Sequence, residues 1–193
     1  MFKFNSYLPR IFYKLNRVKY GKKLVLHGWP FIFRFPTATI ELGDHCTINS
    51  GFFSNLLGLY QRTIVVARGN AKIKIGDRAG LSGVTIYAWD NIDIGDDCVI
   101  GANVKIFDTD FHPIGAEARL KGNREEVRTK PVKIGNNVFI GVNAIILKGT
   151  EIGDNCVIGA GSVVSGKFGS GLIIAGNPAK VINRGIKDEG ISN

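Results

Sequence analysis

Aliphatic residues return at every sixth position along the C-terminal part of this chain, at Ile134, Ile140, Ile146, Ile152, Ile158 and Val164. Glycine follows directly at Gly135, Gly141, Gly153 and Gly159. Two places before each aliphatic, from the second repeat on, stand the small or medium side chains Val138, Ala144, Thr150, Cys156 and Ser162. A period of six fits neither a helix, at about 3.6 residues per turn, nor a plain alternating strand. It fits a short strand followed by a tight corner. The i and i−2 residues then share one strand face and point into a narrow interior, which takes one large and one small side chain. Glycine after the aliphatic is expected to relieve the steric limit on φ at the corner. Stacked turns pair each strand with the strand one coil away, about 4.8 Å distant. The expectation is a β-solenoid held by nearest-neighbour contacts.

The same signature occurs earlier in broken form. Ile94, Ile100 and Ile106 make one run, with Cys98 and Val104 in the small slot. Ile75 and Leu81 make another, with a slip in register before Ile94, and Leu42 and Ile48 the first, with Cys46 in the slot. Residues 51–69 and 108–131 read as interruptions. The spacing from Ile106 to Ile134 is 28 residues, not a multiple of six, so the chain leaves the coil there and returns. All three cysteines fall in the small slot, where a buried thiol packs well. There is no C-x-x-C spacing to suggest zinc or redox chemistry.

A chain of 193 residues fits one domain with a real core. No apolar run is long enough for a transmembrane helix, and no secretory-type leader stands at the N-terminus, so the expected location is cytoplasmic. The formal net charge is +9, and residues 1–40 carry eight lysines and arginines with no acidic residue. Such a local concentration argues against a general nucleic-acid surface. Aromatic and aliphatic residues interleave with these cations, so residues 4–16 read as an amphipathic helix. It would cap the open end of the solenoid or touch an anionic membrane.

The segments IGNNVFIGVNAIILKGTEIGDNCVIGAGSVV, FDTDFHPIG and IIAGNPAKVI together resemble the hexapeptide-repeat acyltransferases. They are most similar to sugar O-acetyltransferases of the maltose/galactoside type and their polysaccharide-cluster relatives. The resemblance covers roughly residues 69–182 and extends more weakly back to 40. It implies an all-β fold, a left-handed parallel β-helix forming a triangular prism, with short helical extensions at the N- and C-termini and an extruded loop near 109–131. It divides the chain into a cap (1–39), a β-helix domain (40–182) and a tail (183–193). Handedness comes from the resemblance alone, because parallel crossovers are ordinarily right-handed. The family implies a homotrimer with active sites between neighbouring subunits and acetyl-CoA as donor, with no metal required.

Of three histidines, only His112 lies in an interruption, flanked by Asp108 and Asp110. Its place matches the family's catalytic histidine. A saccharide hydroxyl is a weak nucleophile at neutral pH, and an imidazole can take its proton as it attacks the thioester carbonyl. The tetrahedral oxyanion then needs hydrogen-bond donors. A carboxylate on the second ring nitrogen would fix the tautomer, and Asp110 or Asp108 could supply it. Both aspartates could equally be turn formers. The resemblance places the coenzyme along Gly141, Val142, Ala160 and Gly161, with Ser165, Lys167, Lys180 and Arg184 towards its nucleotide end. The family's acceptor-holding asparagine aligns with Gly83, beside Ser82, a departure that leaves the acceptor contact open. Ser82 could replace it, and Trp89 or Tyr87 could stack on a sugar face or simply pack. The loop from 109 to 131 is expected to cover the site and contact a neighbour. The expected partner is a saccharide or sugar-nucleotide acceptor, in surface-glycan biosynthesis. The alternatives are an N-acetyltransferase for an amino-sugar nucleotide, a non-catalytic solenoid, and a γ-type carbonic anhydrase, which needs three clustered histidines.

Overall fold

The computed structural model describes residues 7–184. Short parallel strands follow one another through successive coils, and each full coil gives one strand to each of three sheets. The first coil is β1 (Lys19–Tyr20), β2 (Val25–His27) and β3 (Phe31–Arg34). The second is β4 (Thr39–Leu42), β5 (Thr47–Asn49) and β6 (Ile64–Ala67). The third is β7 (Lys72–Ile75), β8 (Gly80–Ser82) and β9 (Thr85–Ala88), and the fourth β10 (Asn91–Ile94), β11 (Val99–Ile100) and β12 (Lys105–Phe107). The fifth is β13 (Val132–Ile134), β14 (Phe139–Ile140) and β15 (Ile145–Ile146), and the sixth β16 (Glu151–Ile152), β17 (Val157–Ile158) and β18 (Val163–Val164). β19 (Lys167–Phe168) and β20 (Leu172–Gly176) begin a seventh, and β21 (Ala179–Arg184) turns back antiparallel on β20. Three corners therefore recur. The first joins the first sheet to the second, the second joins the second to the third, and the third leads into the next coil.

The six-residue logic holds in the core. Ile134, Ile140, Ile146, Ile152, Ile158 and Val164 are buried, as are the small-slot residues Val138, Ala144, Thr150, Cys156 and Ser162. Cys46, Cys98 and Cys156 donate their thiols to the carbonyls of Gly76, Gly135 and Gly169 at 3.2, 3.1 and 3.1 Å. Burial pushes the Cys46 and Cys98 thiols above the usual range.

The role of the repeat glycine differs from the sequence expectation. At the first corner the positive φ falls on Arg78, Asp97, Asn137 and Asn155, two residues after each glycine. The glycine is there for space. A Cβ on Gly76 would lie 2.3 Å from Asp96 Oδ1, and one on Gly135 2.4 Å from Asp154 Oδ1. Those oxygens accept backbone N–H groups of the preceding coil: Asp77 N donates to Asp96 at 2.8 Å, Asp96 N to Asn136 at 2.9 Å, and Asn136 N to Asp154 at 2.6 Å. The Asp or Asn after each glycine thus satisfies a corner N–H that has no strand partner. His45 is one of the positive-φ corner residues, at 59°.

Three boundaries move. A coil is already complete at Arg34, so the segment read as a cap over 1–39 divides into a helix and the first coil. That helix, α1 (Tyr7–Leu15), buries Tyr13 at the end of the solenoid, with the Tyr13 hydroxyl donating to the Pro30 carbonyl at 2.8 Å. The interruption read as 51–69 ends earlier, because Ile64–Ala67 forms β6. At the C-terminus, Leu172–Arg184 forms a hairpin that takes in the first two residues of the tail, and residues 185–193, where a helical extension was expected, lie outside the described residues. The slip before Ile94 includes a shortened second corner. Leu81 pairs with Ile100 and Ile86 with Ile106, so one residue fewer spans this corner in the third coil than in the fourth.

Candidate active site

His112 stands on the third corner, where the chain leaves β12. The base of the loop is closed by an antiparallel bridge between Thr109 and Thr129, with Asp110 N donating to Arg128 O and Lys130 N to Asp108 O. Within the loop is a short helix, α2 (Ala116–Leu120). His112 N donates to Asp110 O at 2.7 Å across Phe111, whose φ is 61°. A bulky residue rarely occupies that region, so neighbouring structure must hold it there. The Phe111 ring packs against Tyr87 and Phe107, with centroids 5.2 and 5.3 Å away. This aromatic stack fixes the residue before His112 and leaves the imidazole exposed.

The two aspartates separate in role. Asp108 is fully buried, and its two oxygens accept the N–H groups of Trp89 and Asp90, each at 2.8 Å. Burial raises its carboxyl above the usual range, against those hydrogen bonds. Asp108 therefore closes the corner of the preceding coil, with both oxygens engaged by backbone. Asp110 pairs with Lys148 Nζ through Oδ1 at 2.6 Å, while its Oδ2 is enclosed without a partner among the described residues. That second oxygen is an acceptor beside the histidine's own turn. Sequence reasoning missed Lys148, although the register could have found it. Ile106 pairs with Ile146, so Lys148 stacks one coil beyond Asp108. It missed Phe111 and Arg68 too. The Arg68 guanidinium lies 4.9 Å from the centre of the Trp89 ring, so Trp89 is already stacked within its own chain. Tyr87 is likewise engaged by Phe111.

Gly83 and the proposed coenzyme residues lie elsewhere. Gly83, Asn103, Asn143 and Gly161 are the positive-φ residues of the second corner, at 57°, 61°, 60° and 67°. Gly141, Val142 and Ala160 adjoin them. Ser82 Oγ accepts from Asn49 Nδ2 at 3.0 Å, and a Cβ on Gly83 would meet Leu59 Cδ2 at 3.0 Å and Gln61 O at 3.1 Å. The loop after β5 thus occupies the space above the shortened corner. Asn103 Oδ1 is buried there without a partner among the described residues. At the sixth coil the corner is open, since a Cβ on Gly161 would meet nothing within 4 Å. Small residues and outward space suit a thin pantetheine-like chain.

The third corner holds Ser165 with His112. Exposed Lys167 begins the next strand and pairs with half-buried Glu151 at 2.8 Å, a weakly held cation. Lys180 is exposed on β21, and Arg184 ends that strand with its side chain outside the described residues. The second and third corners are the two edges of the third sheet. A four-residue strand at about 3.3 Å per residue puts roughly 13 Å between them. One chain therefore does not bring His112 and the Gly83–Gly161 edge onto a single reacting atom.

The histidines are likewise apart, with His27 in β2, His45 at the first corner and His112 at the third. Among the described residues no three or more His, Cys, Asp or Glu side chains group as a metal site.

A family model described as the hexapeptide repeat of succinyl-transferase matches residues 73–107 and 131–165. The matched segments are the third and fourth coils of the solenoid and the fifth and sixth. This repeat protein is 32% identical over 148 residues to a galactoside O-acetyltransferase of Lactococcus lactis subsp. lactis (strain IL1403), covering 77% of this chain and 64% of that one. A solved galactoside acetyltransferase in complex with coenzyme A is 39% identical, with a TM-score of 0.52, over 58% of this chain and 55% of the other. A maltose O-acetyltransferase from Clostridium difficile 630 is 25% identical, with a TM-score of 0.59, over 97% and 80%. The repeat protein spans about half to two thirds of the length of the curated relatives it matches.

Proposed function

We propose that this protein transfers an acetyl group from acetyl-CoA to a saccharide hydroxyl, with His112 as general base. The observation that carries this reading is the His112 turn. An exposed imidazole stands on an aromatic-braced corner, beside an enclosed and unpartnered Asp110 oxygen, in a chain similar to galactoside and maltose acetyltransferases. His112 accepts the proton of the attacking hydroxyl. The new C–O bond forms as the thioester carbonyl becomes an oxyanion. Collapse breaks the C–S bond, and the imidazolium returns its proton to the thiolate. Asp110, paired with Lys148, holds the imidazole in the reactive tautomer.

The coenzyme lies along Gly141, Val142, Ala160 and Gly161 of one copy, and His112, with Ser165 and Lys167 nearby, comes from the next. The roughly 13 Å between the two edges of one sheet supports this sharing. It accords with a homotrimer of left-handed prisms that acts on surface-glycan precursors in the cytoplasm. The crowded corner at Gly83 favours an acceptor other than a simple galactoside or maltose.

The test follows free thiol released from acetyl-CoA with a panel of sugars, nucleotide sugars, amino sugars and lipid-linked saccharides. Turnover with one hydroxyl acceptor, lost by at least about a hundredfold in His112→Ala, is the expected result. Equal turnover of the best acceptor by both forms overturns the mechanism.

A further inference from the structure

The most exposed apolar side chains of the molecule include a cluster in the loop between β5 and β6. Phe52 is 71% exposed, Phe53 83%, Leu56 91%, Leu57 67% and Tyr60 67%. The loop is not slack. Ser50 N and Gly51 N donate to His27 O at 2.7 and 3.0 Å, Ser54 Oγ donates to Gly51 O at 2.6 Å, and Thr63 Oγ1 to Asn49 O at 2.9 Å. Leu59 is buried, and Gln61 Nε2 donates to Gly83 O and Thr85 Oγ1. The base is pinned while the tip presents two aromatics and two leucines to solvent.

The neighbouring corner of the first coil continues the surface. Gly28 packs directly on Gly51, and Trp29 beside it is 42% exposed and Phe31 39%. The charge of this end is predominantly positive. Residues 1–40 contain eight basic and no acidic residues, and from Glu41 to Gly76 two acidic side chains, Glu41 (paired with Lys19) and Asp44, stand against Arg62, Arg68, Lys72 and Lys74. A second copy meeting this end would set largely cation against cation. An anionic bilayer offers the complement: apolar depth for the loop, an interfacial level for Trp29 and Tyr60, and phosphates for Arg62 and the lysines of the N-terminal end.

We propose that the β5–β6 loop is a membrane wedge, which docks the N-terminal end of the solenoid on an anionic lipid surface. This goes beyond acyl transfer and does not depend on it. The probe is sedimentation of the full chain with vesicles of phosphatidylcholine, with and without phosphatidylglycerol. Binding to the anionic vesicles only, weakened by salt, is expected. Replacing Phe52, Phe53, Leu56 and Leu57 by serine lowers the partition coefficient at least about tenfold, and His112→Ala leaves it unchanged. In a Phe53→Trp variant the emission gained over wild type shifts to the blue on anionic vesicles, which reads insertion without removing the wedge. Equal sedimentation of the serine variant and wild type, or no blue shift, overturns the proposal. So does a wild type that ignores both vesicles while the serine variant changes oligomeric state, since the loop then serves a contact between copies.

Discussion

Asp108 and Asp110 sit two positions apart and do different work, which spacing alone did not separate. Asp108 serves two backbone N–H groups of the coil before it. Asp108→Ala leaves both donors unpaired and costs about 2 kcal/mol, read as a lower urea midpoint. Burial raises this carboxyl, so the folded chain holds its proton more tightly than the unfolded chain. Its contribution to stability is fully present below the ordinary carboxylate range and is lost as pH climbs through the raised value. The stability difference between Asp108→Ala and wild type is therefore larger in mild acid than at neutral pH, as urea titrations at the two pH values would show. Phe111 acts through geometry. Phe111→Ala removes the stack on Tyr87 and Phe107 while keeping the histidine, and kcat is expected to fall about tenfold to a hundredfold with KM little changed. An unchanged kcat would mean that the turn needs no brace.

At the scale of the coil, the large and small slots were legible because a narrow interior accepts few side-chain combinations. The glycine was legible as a residue but not in its reason, which lies one coil away and so is invisible to local spacing. Gly76→Ala drives a Cβ to 2.3 Å from Asp96 Oδ1 and is expected to cost about 3 kcal/mol. Gly80→Ala, where a Cβ meets nothing within 4 Å, is expected to be close to neutral. Thermal melts of the pair check this contrast. The first coil was hidden because its positions spaced by six, Tyr20, Leu26 and Ile32, begin with an aromatic and have Leu24 and Pro30, not small residues, two places before the aliphatics. The interruption was overread because Ile64–Ala67 follows a loop whose length carries no register. His112 was singled out because the repeat breaks where it stands. Lys148 was passed over because its partner is a coil away.

On the scale of the whole molecule, the arrangement of corners matters more than any single residue. His112 and Ser165 lie on one edge of the third sheet. Gly83, Ala160 and Gly161 lie on the other. The proposed acyl transfer therefore requires a cleft that two copies share. The most direct test mixes two inactive forms, His112→Ala and Ala160→Trp. Each is expected to be inactive alone, the first without its base and the second with its coenzyme edge blocked. After co-refolding, a His112 from one form faces an open Ala160 edge from the other, and thiol release from acetyl-CoA is predicted to return. A mixture that assembles into hybrid oligomers and stays as inactive as its parts would contradict the shared cleft.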